Sequence, residues 1–300
     1  MKIAIIGGGA IGLLFASYLQ EENDVILYTR SENQSESIRT NGLVRKNGEE
    51  SFCLPINVRP ISQWDETGIE LVILCVKEYM LDKIVKNLTF SANIPLLFVQ
   101  NGMGHLALLK KINTRSLFIG SVEHGALKVN NHTVNHTGIG VTKLAIFRTV
   151  EADRWILDEL ILQSIKNFPA QFEQDYMVML TKKLVVNAVI NPLTAILGVT
   201  NGSLLTNKYY LMLFEQLFDE ICLALSLDSH TYHENLVHVC KNTAQNESSM
   251  LKDVKNGRRT EIDAILGYVL KEAQRKEIKV PLTLAFYHCI KGKEIKEEGM

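Results

Sequence analysis

Residues 1–20 read MKIAIIGGGAIGLLFASYLQ. A short apolar run, KIAIIG (2–7), stops at a cluster of glycines, and AIGLLFASYLQ (10–20) resumes with helical spacing. The run has the length and content of a buried strand. Gly7, Gly9 and Gly12 then form G-x-G-x-x-G between that strand and its helix. Glycine permits the tight turn. It also lets backbone N–H groups, here those of Ala10 and Ile11, approach a pyrophosphate at the helix N-terminus. The pattern alone is also that of an ordinary glycine turn. The strand before and the helix after are the context that a dinucleotide site requires.

Outward from this loop the alternation continues. DVILYT (24–29), ELVILCV (70–76), IPLLFVQNG (94–102) and SLFIGSV (116–122) read as further strands. Helical stretches fall at 31–40, 78–88 and 103–112. ELVILCV is apolar on both faces, as a central parallel strand is. Strand–helix alternation at this spacing predicts a doubly wound parallel sheet, an α/β Rossmann domain. Residues 127–150 suit a hairpin or edge strands. From about Asp175 strand signals vanish, and 175–197, 207–227, 230–255 and 259–277 read as helices. The expected organisation is an NADP-binding domain over 1–170 and an all-α substrate domain over 171–300.

Composition sets bounds. The chain has 300 residues, 46% hydrophobic and 22% charged, with a formal net charge of −1. Neither half is strongly basic, which argues against a nucleic-acid partner. No uninterrupted apolar run reaches the ~18 residues of a membrane span, and the N-terminus lacks the regions of a signal peptide. The five cysteines form no C-x-x-C pair and no metal spacing with histidine. They read as reduced thiols of a cytoplasmic protein without a metal site.

The strand ends carry the candidate chemistry, because ligands of open α/β sheets sit beyond the carboxyl ends of the strands. An NAD site favours a carboxylate after the second strand. Here LYTRSEN (27–33) places Thr29, Arg30 and Ser31 there. A forked guanidinium at Arg30 suits a 2′-phosphate and favours NADP(H). Glu32 nearby keeps NAD open, and Arg30 also reads as a solvated loop charge. Lys77 in CVKEYM and Asn101 in VQNGMG end the third and fourth strands. Each has a plain reading too, as a loop lysine and as an Asn-Gly turn.

KKLVVNAVINPLTAILG (182–198) is the most apolar stretch, yet it carries Lys183, Asn187 and Asn191. Residues four apart lie about 40° from one another around a helix, so these three form one narrow polar stripe. A buried amide costs about 1–3 kcal/mol unless paired. A ligand pairs it; so does a hydrogen-bond network within the fold. Pro192 predicts a kink after Asn191 and a lost partner for the Ala188 carbonyl. Further on, NESSMLKDVKNGRRTEID (246–263) holds Asn246, Ser248, Ser249, Asp253, Arg258, Arg259 and Glu261. Asp253 and the arginines read as helix-end charges, and Glu261 as a carboxylate at a helix N-terminus.

Together these segments resemble the ketopantoate reductase (2-dehydropantoate 2-reductase) family over nearly the whole chain. The most specific are KKLVVNAVINPLTAILG and SSMLKDVKNGRRTEID, beside GGGAIG, CVKEYM, QNGMG and the Asn-Gly at 201–202. The resemblance implies reduction of 2-dehydropantoate to (R)-pantoate with NADPH. It implies that Lys183 is the catalytic lysine and general acid, that Asn101 lies near nicotinamide and substrate, and that Glu261 organises the site. Asn187, Asn191 and Asn201 would line the substrate site, and Asn246 and Ser249 would anchor the substrate. Gly7, Gly9, Ala10, Ile11, Gly12, Arg30, Lys77 and Asn101 would hold the cofactor. The expected partner is a small keto acid, for a monomer or homodimer with neither nucleic acid nor membrane. Two rival readings are an NADP-dependent dehydrogenase of another small 2-keto or hydroxy acid, and a non-catalytic NADP-binding sensor.

Overall fold

The computed structural model describes residues 1–295. It divides into two compact units, Met1–Gln100 with Ala107–Met179, and Asn101–Leu106 with the chain from Leu180 onward. The division therefore falls past residue 170, where the strand Ala170–Phe172 still belongs to the first unit.

The first unit opens with β1 (Lys2–Ile6), α1 (Ala10–Leu19), β2 (Asp24–Thr29) and α2 (Glu32–Asn41). Then come β3 (Leu43–Asn47), β4 (Glu50–Leu54), β5 (Asn57–Pro60), β6 (Leu71–Leu74), α3 (Glu78–Asn87) and β7 (Leu96–Phe98). After α4 (Leu106–Leu109) follow β8 (Leu117–Val122), β9 (Gly125–Lys128), β10 (Thr133–Gly138), β11 (Thr142–Arg148), α5 (Trp155–Leu162) and β12 (Ala170–Phe172). The main sheet has the order β12-β11-β8-β7-β6-β1-β2-β5. All neighbours pair in parallel except β8 with β11. The order reverses at β1, which pairs with β2 on one side and β6 on the other, and that reversal is where such sheets bind ligands.

The central strands are buried on both faces, Ile3, Ile5, Leu71, Ile73, Leu97 and Phe118 among them. Leu13 and Leu14 of α1 close the core over β1, and at about 25 cal/mol per Å² such aliphatic burial is the main stabilising contribution. A second sheet, β4-β3-β10-β9, joins two hairpins through the parallel pair β3–β10. The 127–150 region is thus a hairpin plus a strand of the main sheet. Its partner hairpin β3–β4 and the edge strand β5 have no counterpart in the sequence reading. The helix expected at 103–112 shrinks to the four residues of α4, with turns on both sides of it; the one ahead opens at Gly102, φ +76.

The second unit is helical: α6 (Tyr176–Leu197, its first turn in the first unit), α7 (Ser203–Thr206), α8 (Lys208–Leu225), α9 (Ser229–Asn242), α10 (Ser249–Lys255), α11 (Ile262–Arg275) and α12 (Pro281–Glu294). The single helix expected at 230–255 is two, broken over Thr243–Ser248. Ser248 caps α10 by accepting from the Leu251 N–H at 3.1 Å, the usual work of a serine there. Phe214, Leu217, Phe218 and Ile221 of α8 and Ile262, Ile265, Leu266 and Val269 of α11 are buried. On α12, Glu294 accepts from the Thr260 N–H and hydroxyl at 2.8 and 2.7 Å, which fixes the start of α11. Among the described residues α6 alone is long and apolar enough to cross a membrane, a test that the core helix of a globular unit also passes.

Candidate active site

The glycine loop follows β1. Gly7 has φ +121, and a Cβ there would lie 3.0 Å from the backbone of Cys75 and Val76. A Cβ on Gly12 would come within 1.8 Å of the Gly7 carbonyl. These two glycines are therefore required by the protein itself. Gly9 differs: it is exposed, its φ is −81, and a Cβ would meet nothing within 4 Å. The open space beside Gly9 lies where a pyrophosphate would approach. The first-turn N–H groups of α1, from Ala10, Ile11 and Gly12, have no intrahelical acceptor. No side chain caps Gly9, and no carboxylate lies in that turn. The loop thus fits a dinucleotide phosphate, by uncapped donors and by the positive end of the helix dipole.

At the end of β2 the Thr29 and Ser35 hydroxyls lie 2.7 Å apart, and Thr29 donates to the Ser31 carbonyl at 2.9 Å. Ser31 caps α2. Arg30 is exposed, and among the described residues it has no hydrogen-bond or ion-pair partner. Glu32, the carboxylate that kept NAD open, pairs with Arg39 one helix face along. Lys77 is half-buried at the N-terminus of α3. The turn before it is held by Gln100, whose Nε2 donates to the carbonyls of Leu74 and Val76 at 2.6 and 3.0 Å. Gln100 went unnoticed in the sequence because glutamine beside an Asn-Gly reads as turn composition.

In the second unit, Asn101 Nδ2 donates to Glu261 Oε2 at 3.1 Å. The Asn-Gly is more than a surface turn. A Cβ on Gly102 would sit 2.3 Å from the Ala264 carbonyl, which also accepts from the Met103 N–H at 3.2 Å. Glycine lets this segment lie directly on the first turn of α11, which fixes Asn101 against Glu261. Glu261 is buried, and its carboxylate at the start of α11 is favoured by the helix dipole. His105, also absent from the sequence reading, lies beneath. It is 1% exposed, with neither ring nitrogen hydrogen-bonded. Burial pulls its pKa down to about 4, against the opposing influence of the Glu261 charge.

Helix α6 carries Lys183 and Asn187 half-buried and Asn191 buried. Their neighbours Leu184, Val185, Ala188, Val189, Ile190 and Leu193 are all buried. Among the described residues, the side-chain amides of Asn187 and Asn191 have no hydrogen-bond partner in the protein. The helix runs on through Pro192. Two residues later the Thr194 hydroxyl donates to the carbonyls of Ile190 and Asn191 at 2.7 and 3.1 Å. It is also hydrogen-bonded to Ser248 Oγ at 2.7 Å, which ties α6 to the start of α10 and to Ser249.

Asn201 and Asn246 are brought together through the backbone: the Asn201 N–H donates to the Asn246 carbonyl at 3.0 Å, and the Gly202 N–H to Ala244 at 2.9 Å. Asn201 Nδ2 donates to Thr243 Oγ1 at 2.9 Å, while its buried Oδ1 has no partner. Asn246 and Ser249 are exposed. Asp253 pairs with Arg258, and Arg259 with Asp263. Those charges serve helix ends.

Residues 3–149 match the family described as ketopantoate reductase PanE/ApbA, and residues 175–294 match its C-terminal part. The 2-dehydropantoate 2-reductase of Bacillus subtilis (strain 168) is 40% identical over 296 residues, 98% of each chain. A crystal structure of a probable 2-dehydropantoate 2-reductase from Bacillus subtilis superposes with TM-score 0.88 at 38% identity, covering 98% of this chain and 100% of that one. A D-mandelate dehydrogenase in ternary complex with NADH and anilino(oxo)acetate shares the fold, with TM-score 0.87 at 23% identity over 98% of each chain.

Proposed function

The chain belongs to the ketopantoate reductase family, and from that premise we propose that it reduces 2-dehydropantoate to (R)-pantoate with NADPH. Membership makes it an NAD(P)-dependent oxidoreductase that acts on a small keto acid, in pantothenate biosynthesis. The observation that carries the substrate site is the stripe on α6. Asn187 and Asn191 are amides set among valines and leucines with no side-chain hydrogen-bond partner among the described residues. Asn191 is buried and Asn187 half-buried, and a bound polar substrate would supply the partners that these amides lack.

When bound, the reduced nicotinamide supplies the hydride. Lys183 donates a hydrogen bond to the ketone oxygen as negative charge develops there, and then its proton. Asn187 and Asn191, with Asn201, Asn246 and Ser249, hold the carboxylate and hydroxyl and supply orientation. Glu261 takes one amide hydrogen of Asn101 and so sets which way its carbonyl oxygen points. Ala10 and Ile11 offer their N–H groups beside Gly7, Gly9 and Gly12 to the pyrophosphate. Arg30, with no carboxylate partner among the described residues, takes the 2′-phosphate, and Lys77 supplies charge at the end of β6. Glu32, engaged with Arg39, leaves the ribose end to the guanidinium. The five cysteines are free thiols, in keeping with a reducing cytoplasm.

The test is NADPH absorbance with 2-dehydropantoate, measured beside 2-ketoisovalerate and phenylglyoxylate. The expected result is the highest kcat/KM with 2-dehydropantoate. A faster rival acid would make the protein a dehydrogenase of that acid. Tight NADPH binding with no turnover of any acid would make it a sensor.

A further inference from the structure

We propose that Lys128 is a second phosphate-binding cation of the dinucleotide site, acting from the small sheet onto the glycine loop. This rests on the reading of that loop as the NADPH site. Lys128 ends β9, far along the chain from the G-x-G-x-x-G motif. Its Nζ nevertheless lies 3.1 Å from the carbonyl of Gly8, the residue between the first two glycines. The ammonium is half-buried, and among the described residues it meets no carboxylate. Burial lowers its pKa from the usual lysine value.

A partly desolvated ammonium with one neutral acceptor gains from an anion beside it. Bracing the loop does not account for the charge. The Gly8 carbonyl already accepts from Gln34 Nε2 at 2.8 Å, a neutral donor that holds the loop alone. One of the three ammonium hydrogens is spent on Gly8, which leaves two. The hairpin that carries Lys128 is fixed against α2. Gln34 Nε2 also donates to the Asn131 carbonyl at 3.0 Å, and Ser37 Oγ lies 2.9 Å from His132 Nδ1. The cation is therefore held in place beside uncapped N–H groups and an open face at Gly9, with no acidic side chain in the first turn of α1. The chemistry that completes this set is a phosphate of the dinucleotide, either the 2′-phosphate or the pyrophosphate.

The experiment is calorimetric titration of the full-length protein with NADPH, NADH and 2′,5′-ADP, for wild type, Lys128→Gln, Lys128→Met and Lys128→Arg. Glutamine keeps a donor for Gly8 but removes the charge. We expect Lys128→Gln and Lys128→Met to weaken NADPH about tenfold, the scale of one charge-assisted hydrogen bond, with thermal melting unchanged and Lys128→Arg restoring most of the affinity. A loss confined to NADPH and 2′,5′-ADP supports contact with the 2′-phosphate. An equal loss for NADPH and NADH supports contact with the pyrophosphate. If Lys128→Gln, or Lys128→Met should glutamine disturb folding, binds all three as wild type does, Lys128 is only a brace and the proposal falls. If wild type itself binds neither dinucleotide, the cofactor reading of the loop falls with it.

Discussion

Lys183 is the side chain on which the proposed chemistry turns. It shares its helix face with two amides and is flanked by Leu184 and Val185, both buried. In the proposed reaction it serves as hydrogen-bond donor and acid to a developing alkoxide, work that is worth ~10²–10⁴ in rate. Lys183→Ala is expected to lower kcat by about that factor while the NADPH Kd stays within about twofold, since the lysine is assigned to the ketone and not to the phosphates. Near-normal turnover in stopped-flow assays would remove the role. Arg30 is proposed to serve the other ligand. An exposed guanidinium with no partner among the described residues adds little to the fold, so Arg30→Ala is expected to melt as wild type does. Its NADPH KM should rise about tenfold or more while the NADH KM changes little, one forked charge contact being worth on the order of 1.5–3 kcal/mol. Equal effects on the two cofactors would remove the 2′-phosphate argument. At this scale the sequence is legible where a residue type is chemically odd for its surroundings, as an ammonium among valines is. It is silent about His105, which looks like any histidine until the packing of Asn101–Leu106 on α11 encloses it.

Elements place these side chains, and one hydroxyl connects two of them. Thr194 on α6 bonds its own helix at Ile190 and Asn191 and reaches Ser248 at the start of α10. Thr194→Val keeps the shape and removes all three bonds. It is expected to cost about 1–3 kcal/mol, because the buried Ser248 hydroxyl loses a partner. It should also raise the substrate KM more than it lowers kcat, since Ser249 and Asn191 lose their shared anchor while Lys183, about three turns away, does not. Urea unfolding and steady-state kinetics check the two halves, and an unchanged KM would separate the anchor from the site. Strands with a strong apolar signature, such as β1, β2, β6 and β8, are readable from sequence alone because burial on both faces demands continuous aliphatic runs. The β3–β4 hairpin is not, since ESFCL is almost wholly exposed and pairs through its backbone. The break between α9 and α10 hides for a related reason: TAQNES is polar but not glycine- or proline-rich. The stop is made by Ser248 and by backbone pairing of Asn246 and Ala244 with the Asn201–Gly202 loop.

Across the whole molecule, both units bury histidine in the neutral form, and this sets how stability follows pH. In the second unit His105 has a pKa near 4 against an ordinary 6.5, because the enclosed imidazolium would be desolvated. In the first unit burial and the Arg45 charge hold His136 down, against a backbone contact at Gly138. Hydrogen bonds there also fix the proton positions. The Gly140 N–H donates to His124 Nδ1 at 3.2 Å, so His136 Nε2, 3.3 Å away, carries a proton. His136 Nδ1 then accepts from the Tyr18 hydroxyl at 2.9 Å. A proton added at that nitrogen would force the Tyr18 hydroxyl, which already accepts from Asn47 Nδ2 at 3.2 Å, to accept there as well. For both groups the folded state binds fewer protons than the unfolded state at acid pH, so stability is complete above about pH 6.5 and declines as pH falls towards the folded-state values. At about 1.4 kcal/mol per unit, His105 alone accounts for a loss of about 2 kcal/mol at pH 5. His105→Leu, which also removes two buried nitrogens without partners, is expected to narrow the difference in urea midpoint between pH 7.5 and pH 5. Both tryptophans, Trp64 and Trp155, lie in the first unit. Tryptophan fluorescence therefore reports that unit, and far-ultraviolet circular dichroism weights the helical one. The narrowing should be largest in the dichroism transition, while the fluorescence transition keeps the dependence due to His136. A pH dependence unchanged by His105→Leu in both signals would mean that His105 does not stay neutral in the folded protein.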